Sequence, residues 1–159
     1  MQQKDFSKWL KLIILGIGLC GLVIYLFAVP FCGKELVQQN PEYAYCYLPW
    51  LIFILLTAIP CYIVLVFSWK IVANIEKDHS FCKENAKYLK YISLLAAGDS
   101  AFFFVGNIIY LFLGMNHPGI LLASGVITFI GIAITVASAA LSHLVMKAAQ
   151  LQEENDLTI

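Results

Sequence analysis

The 159-residue chain is 61% hydrophobic and only 13% charged, and its ten basic and ten acidic residues cancel. A soluble domain runs nearer half apolar and a quarter charged, so this composition excludes an ordinary soluble globule and points to a membrane protein. Every cation is Lys; with no Arg and no basic patch interleaved with aromatics, direct nucleic-acid binding and bidentate phosphate recognition are not expected.

The first apolar run extends from Leu10 to about Phe31 and is preceded by Lys4, Lys8 and Lys11. It is longer than the ~7–15 residues of a signal-peptide core, and Ala28-Val29-Pro30-Phe31 is a poor cleavage site, so it reads as a retained span. Residues 32–49, with Cys32, Lys34, Glu35, Asn40-Pro41 and three Tyr, read as a polar loop. A second run opens at Trp50 and continues to about Ala73. The stretch 74–90, which holds Lys77, Lys83, Lys87 and Lys90, reads as a second polar loop. A third run covers 91–113, Gly114-Met-Asn-His-Pro-Gly119 has turn composition, and a fourth run covers 120–145 before a polar tail, 146–159. Each run meets the ~20-residue length of a membrane-spanning helix. The expected fold is all-α, a single membrane domain over 1–159 built as a four-transmembrane-helix bundle.

Lysine placement orients it. Lys4, Lys8 and Lys11, the group Lys70 to Lys90, and Lys147 fall on one side, and only Lys34 falls on the other. The positive-inside rule therefore puts both termini and the 74–90 loop in the cytoplasm, with 32–49 and 114–119 outside. Trp9, Trp69, Tyr88 and Tyr91 then lie at the inner interface and Tyr43, Tyr45, Tyr47, Trp50 and Tyr110 at the outer one, as aromatic belts require.

Asp99 stands near the middle of the third run. A charge at that depth costs roughly 3 kcal/mol on insertion scales, so it faces protein or water and often marks function. Counting inward from the cytoplasmic end of each span brings Thr135 and Ser138 of the fourth and Tyr62 of the second to its level, with no Lys among them. Without a counter-ion, Asp99 is expected protonated or cation-bound. Two readings follow: a neutral carboxyl hydrogen-bonded to Ser or Thr between helices, or a proton- or cation-coupled site.

On the fourth run Ser124, Thr128, Gly131, Thr135, Ser138 and Ser142 alternate steps of four and three, which aligns them along one helix face. Small and hydroxyl residues at that spacing make a packing seam; bordering a polar cavity is the alternative. Pro60, between Thr57 and Cys61, removes the hydrogen bond to the Leu56 carbonyl and predicts a kink, structural or hinge-like.

Cys32 and Cys46 share the expected outside loop, where a disulfide closing about 15 residues would contribute roughly 3 kcal/mol; free thiols are the alternative. No Cys-x-x-Cys, paired carboxylates or Gly-rich phosphate loop occurs, and Ser142-His143, adjacent on a helix, diverge. His79 and Cys82 offer two ligands where zinc takes three or four, so neither metal nor cofactor is expected. The expectation is that the chain is not an enzyme. In the tail, Glu153, Glu154 and Asp156 lie on the side of Lys83, Lys87 and Lys90. They are either a solvated helix end or a latch in which the acids pair with those lysines while Leu157 and Ile159 dock, each exposed pair contributing ~0–1 kcal/mol.

Two stretches carry a resemblance. Asn74, Ile75, Lys77, Phe81, Glu84, Asn85 and Leu89 fit a loop pattern N-I-x-K-x-x-P-F-[ST]-x-E-N-x-x-x-L. Leu151, Glu153, Glu154, Asp156, Leu157, Thr158 and Ile159 fit a tail pattern L-x-E-E-x-D-L-T-I. Together they resemble an uncharacterised bacterial family of four-span membrane proteins, a domain of unknown function. The departures are Ser80 for Pro, Cys82 for a hydroxyl residue, and Lys where relatives use Arg. The resemblance implies a multi-pass protein of the bacterial cytoplasmic membrane, often encoded beside a small helix-turn-helix regulator, and implies no activity. Two functions remain open: a non-enzymatic sensor or partner of such a regulator, or a small proton- or cation-coupled transporter or channel using Asp99. Either leaves room for a homo-oligomer.

Overall fold

The computed structural model describes residues 3–156, and every regular element among them is helical. The first span is one continuous helical rod: α1 (Gln3–Val23), a π turn (Ile24–Ala28) and α2 (Val29–Gln39). Pro30 explains the interruption. It cannot donate a helical hydrogen bond, and just ahead of it the Val29 N–H reaches back five residues to the Ile24 carbonyl. Pro30 then sits in the first turn of α2, where its missing N–H is harmless. A single 3-10 turn, Pro41–Tyr43, leads into α3 (Ala44–Glu76), which carries Pro49 and Pro60 inside it. α4 (Lys83–Phe112) and α5 (Pro118–Asp156) complete the chain. Four helical segments are thus long and apolar enough to cross a membrane.

Two stretches expected as loops are largely helix. Of residues 32–49, only Asn40 and the 3-10 turn interrupt helical geometry, because Glu35 to Gln39 are acceptable helix formers and the chain breaks at Asn40-Pro41. Of residues 74–90, only 77–82 are non-helical; Lys83 to Lys90 form the first turns of α4.

Each span packs on the next in sequence: the first on α3, α3 on α4, and α4 most extensively on α5. The α4–α5 seam is the Ser/Thr/Gly stripe. Ser142 Oγ donates to the Ala86 carbonyl at 2.7 Å, and Ser93 Oγ donates to the Thr135 carbonyl at 3.0 Å. At Gly131 the backbones approach so closely that an added Cβ would collide with Ser100 Oγ. Ser124, Thr128 and Thr135 turn their own hydroxyls back to the carbonyls of Leu121, Ser124 and Gly131, so these three hydroxyls are all satisfied within the seam. The stripe is a packing face.

The α3–α4 contact is aromatic toward one end. Phe53, 5% exposed, is ringed by Trp50, Phe102, Phe103 and Tyr110 with centroids 5.2–5.8 Å away. Gly106 makes room for it: a Cβ there would run into the Phe53 ring at Cε2 and Cζ. The turn after α4, with Gly114 at φ 69°, is tied to this cluster by Trp50 Nε1 donating to the Met115 carbonyl at 2.9 Å. At the other end Lys11 pairs with Glu76 at 2.5 Å and Lys83 with Glu153 at 2.5 Å. The start of the first span, the 77–82 turn and the end of α5 therefore share one end of the molecule. The remaining helix surfaces carry exposed Leu, Ile, Val and Phe side chains along their length, a surface that lipid, not water, can solvate.

Gly106→Val should force Phe53 out of its place and lower stability by about 1–3 kcal/mol, as overpacking does. Gly98→Ala, where nothing lies within 4 Å, should not. Thermal unfolding of the two variants in the same detergent compares them directly.

Candidate functional site

Asp99 is half-buried on α4. Its Oδ2 accepts the Cys61 thiol at 3.7 Å, while Oδ1 is shielded from solvent and accepts no hydrogen bond. Cys61 lies one residue past Pro60 in α3, and Thr57, one turn earlier on the same face, is buried. The Thr57 hydroxyl donates to the Ile54 carbonyl at 2.7 Å, so in its 3.3 Å contact with Tyr25 the phenol is the donor. Tyr25 comes from the π turn of the first span and also faces Cys61 and Asp99. A tyrosine, a threonine, a thiol and a carboxyl from three spans thus meet beside the π turn of the first span and Pro60 of α3.

Tyr62 and Thr135, two of the residues expected around Asp99, make their hydrogen bonds elsewhere. Tyr62 Oη donates to the Gly18 carbonyl at 2.9 Å, and Thr135 is engaged in the α4–α5 seam. Ser138 is half-buried on that same face of α5. Asp99 lies on the side of α4 that meets α3, whereas its neighbour Ser100 meets α5. Depth counting gave level and not direction, and it therefore missed Tyr25, Thr57 and Cys61. The visible signal was Pro60, which flags both Thr57 and Cys61 as its flanks.

At the lysine-bearing end the 77–82 turn is held by two asparagines. Asn74 Nδ2 donates to Asn85 Oδ1 at 2.8 Å, and Asn85 Nδ2 donates to the carbonyls of His79 and Ser80 at 3.1 and 3.0 Å. Backbone N–H groups of Lys77 and His79 return to the Asn74 carbonyl, and Asp78 takes the left-handed φ of 66° that Asp tolerates. Asn85 is 2% exposed, whereas Phe81, on the turn it secures, is 59% exposed. Beside Phe81 opens a groove of about 590 Å³ lined by Asp78, His79, Lys83, Gln152 and Glu153 among others. The Lys83–Glu153 pair forms one member of the expected latch; both side chains are about half exposed, so it contributes at most ~1 kcal/mol. Lys87, Lys90 and Glu154 are exposed on the same end. The Asp156 side chain, Leu157 and Ile159 lie outside the described residues.

Cys32 and Cys46 are not a disulfide. Both are free, Cys32 exposed on α2 and Cys46 buried on α3. The expectation assumed a pliable loop; two rigid helices fix where each thiol points, and they do not bring the sulfurs to bonding distance. Instead both line an apolar groove of about 620 Å³ with Tyr47, Trp50, Met115 and His117.

A family described as protein of unknown function (DUF2975) matches residues 32–159. The chain belongs to this family. It is also 31% identical over 153 residues to "Uncharacterized membrane protein YoaS" of Bacillus subtilis (strain 168), covering 95% of this chain and 96% of the relative. No solved structure matches it. The family and the four spanning segments establish a membrane protein. The matched region contains the whole 74–89 pattern, and two of that pattern's positions have a clear physical role, since Asn74 and Asn85 lock the turn.

Two outcomes check these assignments. Asn85→Ala removes three hydrogen bonds from the turn at once, and hydrogen exchange should show the 77–82 amides losing protection while those of α5 keep theirs. Cys32→Ser should leave the unfolding temperature and the non-reducing gel mobility unchanged, where loss of a disulfide would have cost roughly 3 kcal/mol.

Proposed function

We propose that this family member is a non-enzymatic sensor or docking protein of the bacterial cytoplasmic membrane, whose lysine-bearing end binds a cytoplasmic regulator. The excess of Lys at that end supports a cytoplasmic orientation by the positive-inside rule. One observation carries the reading: the 77–82 turn is braced by a buried Asn74–Asn85 pair and displays Phe81 to solvent beside a polar groove. A preformed turn costs little ordering on binding, and an exposed aromatic on a rigid base is a typical anchor of a binding surface. The small helix-turn-helix regulator implied by the family resemblance is the partner proposed. Any contact with DNA would be the regulator's, since the chain itself has no Arg.

The test is co-purification of the detergent-solubilised full chain with a small helix-turn-helix regulator of the kind the family resemblance implies. Phe81→Ala and deletion of residues 151–159 should each weaken retention at least tenfold, and Asp99→Asn should not. Retention that survives both changes refutes the surface.

A second reading, a small proton- or cation-coupled transporter or channel using Asp99, has one observation in its favour, the unpartnered Asp99 Oδ1. Flux of protons or cations into vesicles holding the purified protein, lost in Asp99→Asn, is its expected result; vesicles that stay tight retire it.

A further inference from the structure

Among the described residues, Asp99 Oδ1 is the one sheltered side-chain oxygen or nitrogen outside the exposed residues that has no hydrogen-bond partner. A carboxylate oxygen removed from water is costly until a positive charge or a donor meets it. What the protein supplies is the Cys61 thiol, a weak donor, and that on the other oxygen. Lysines do not reach: Lys70 on α3 and Lys90 on α4 stand about two and a half helical turns from Cys61 and Asp99. The titratable groups facing Asp99 are Tyr25 from the first span and Cys61 from α3, both neutral donors. On the α5 side the seam offers Gly131 and Thr135, and neither titrates.

The surrounding oxygens have capacity to spare. Thr57 directs its proton to the Ile54 carbonyl and Tyr25 directs its proton to Thr57, so each hydroxyl keeps a lone pair. Pro60 withholds the helical donor from the Leu56 carbonyl, which adds a polar group to the same turn of α3. One carboxylate and a few neutral oxygens balance one positive charge. Calcium takes six to eight oxygens and magnesium a near-octahedral shell, and a divalent ion here would leave an uncompensated charge in the bilayer.

We propose that Asp99, together with the Tyr25 and Thr57 hydroxyls, forms an intramembrane site for a single monovalent cation, Na⁺ or a proton, with groups drawn from the first three spans. The π turn that carries Tyr25 gives up helix regularity, and Pro60 lies between Thr57 and Cys61 on α3, so both features supply this site. π turns inside helices often mark such sites. The site binds whether or not the ion crosses the membrane, and it does not depend on the regulator-docking end.

The test uses the full chain in nanodiscs of neutral lipid, with thermal unfolding and infrared spectra recorded from about pH 5 to pH 9 in NaCl or choline chloride at equal ionic strength. With Na⁺ as occupant, NaCl raises the unfolding temperature above choline at the alkaline end, and the difference shrinks toward acid as protons compete. Asp99→Asn removes the difference and Thr57→Val reduces it. With a proton as the sole occupant, the two salts behave alike, but a carboxyl stretching band grows in with acid and is missing from Asp99→Asn. Identical unfolding in both salts, with a carboxyl band constant across the whole pH range, overturns the proposal and leaves Asp99 a permanently neutral structural group. If Asp99→Asn fails to fold, the wild-type salt and pH series still decides.

Discussion

The close approach of α4 and α5 along Ser124, Thr128, Gly131, Thr135, Ser138 and Ser142 sets the geometry of every other interface. Lipid tails are as apolar as Leu, so spans gain little by hiding apolar side chains from them, and association must come from close packing and hydrogen bonds between helices. Gly131 against Ser100, Ser142 against the Ala86 carbonyl and Ser93 against the Thr135 carbonyl supply both. With α5 seated this way, α4 is fixed in rotation, and the opposite face of α4, which carries Asp99 and Gly106, is committed to α3.

That commitment orders the second interface. Gly106 receives Phe53 in the half that leads to the 113–117 turn, and Asp99 receives Cys61 farther along. The first span meets α3 by close approach at Gly18, Gly21 and Gly33, and through Tyr62 on the Gly18 carbonyl, Tyr25 on Thr57 and the Lys11–Glu76 pair. This span contributes the tyrosine beside Asp99.

The lysine-bearing end is organised by different physics. There water competes for every polar group, so the exposed ion pair Lys83–Glu153 counts for little. The buried Asn74–Asn85 bond, with its two carbonyl acceptors, sets the conformation of the turn. The polar composition of 74–90 hid this. Lys83 to Lys90 are helical, because polarity marks where a helix leaves the lipid and not where its hydrogen-bond ladder stops. The same confusion affected 32–49, where α2 runs on to Gln39 and places Cys32 and Cys46 on separate rigid helices.

Local composition and period were legible before any folding. Four apolar runs long enough for a bilayer made four spanning helices, because backbone groups in lipid must bond within their own segment. The four-three spacing on the last run made a packing face, because one helix turn repeats at that interval. The direction in which each face looks came from packing between helices. Asp99 could be placed at a depth from its position in the third run, but its partners depend on the rotation of α4 about its axis and on the π turn before Pro30. A π turn shifts side-chain register in a way that counting along an ideal helix does not carry. The neighbours of Asp99 are therefore Cys61, Thr57 and Tyr25, and Thr135 belongs to the seam behind it.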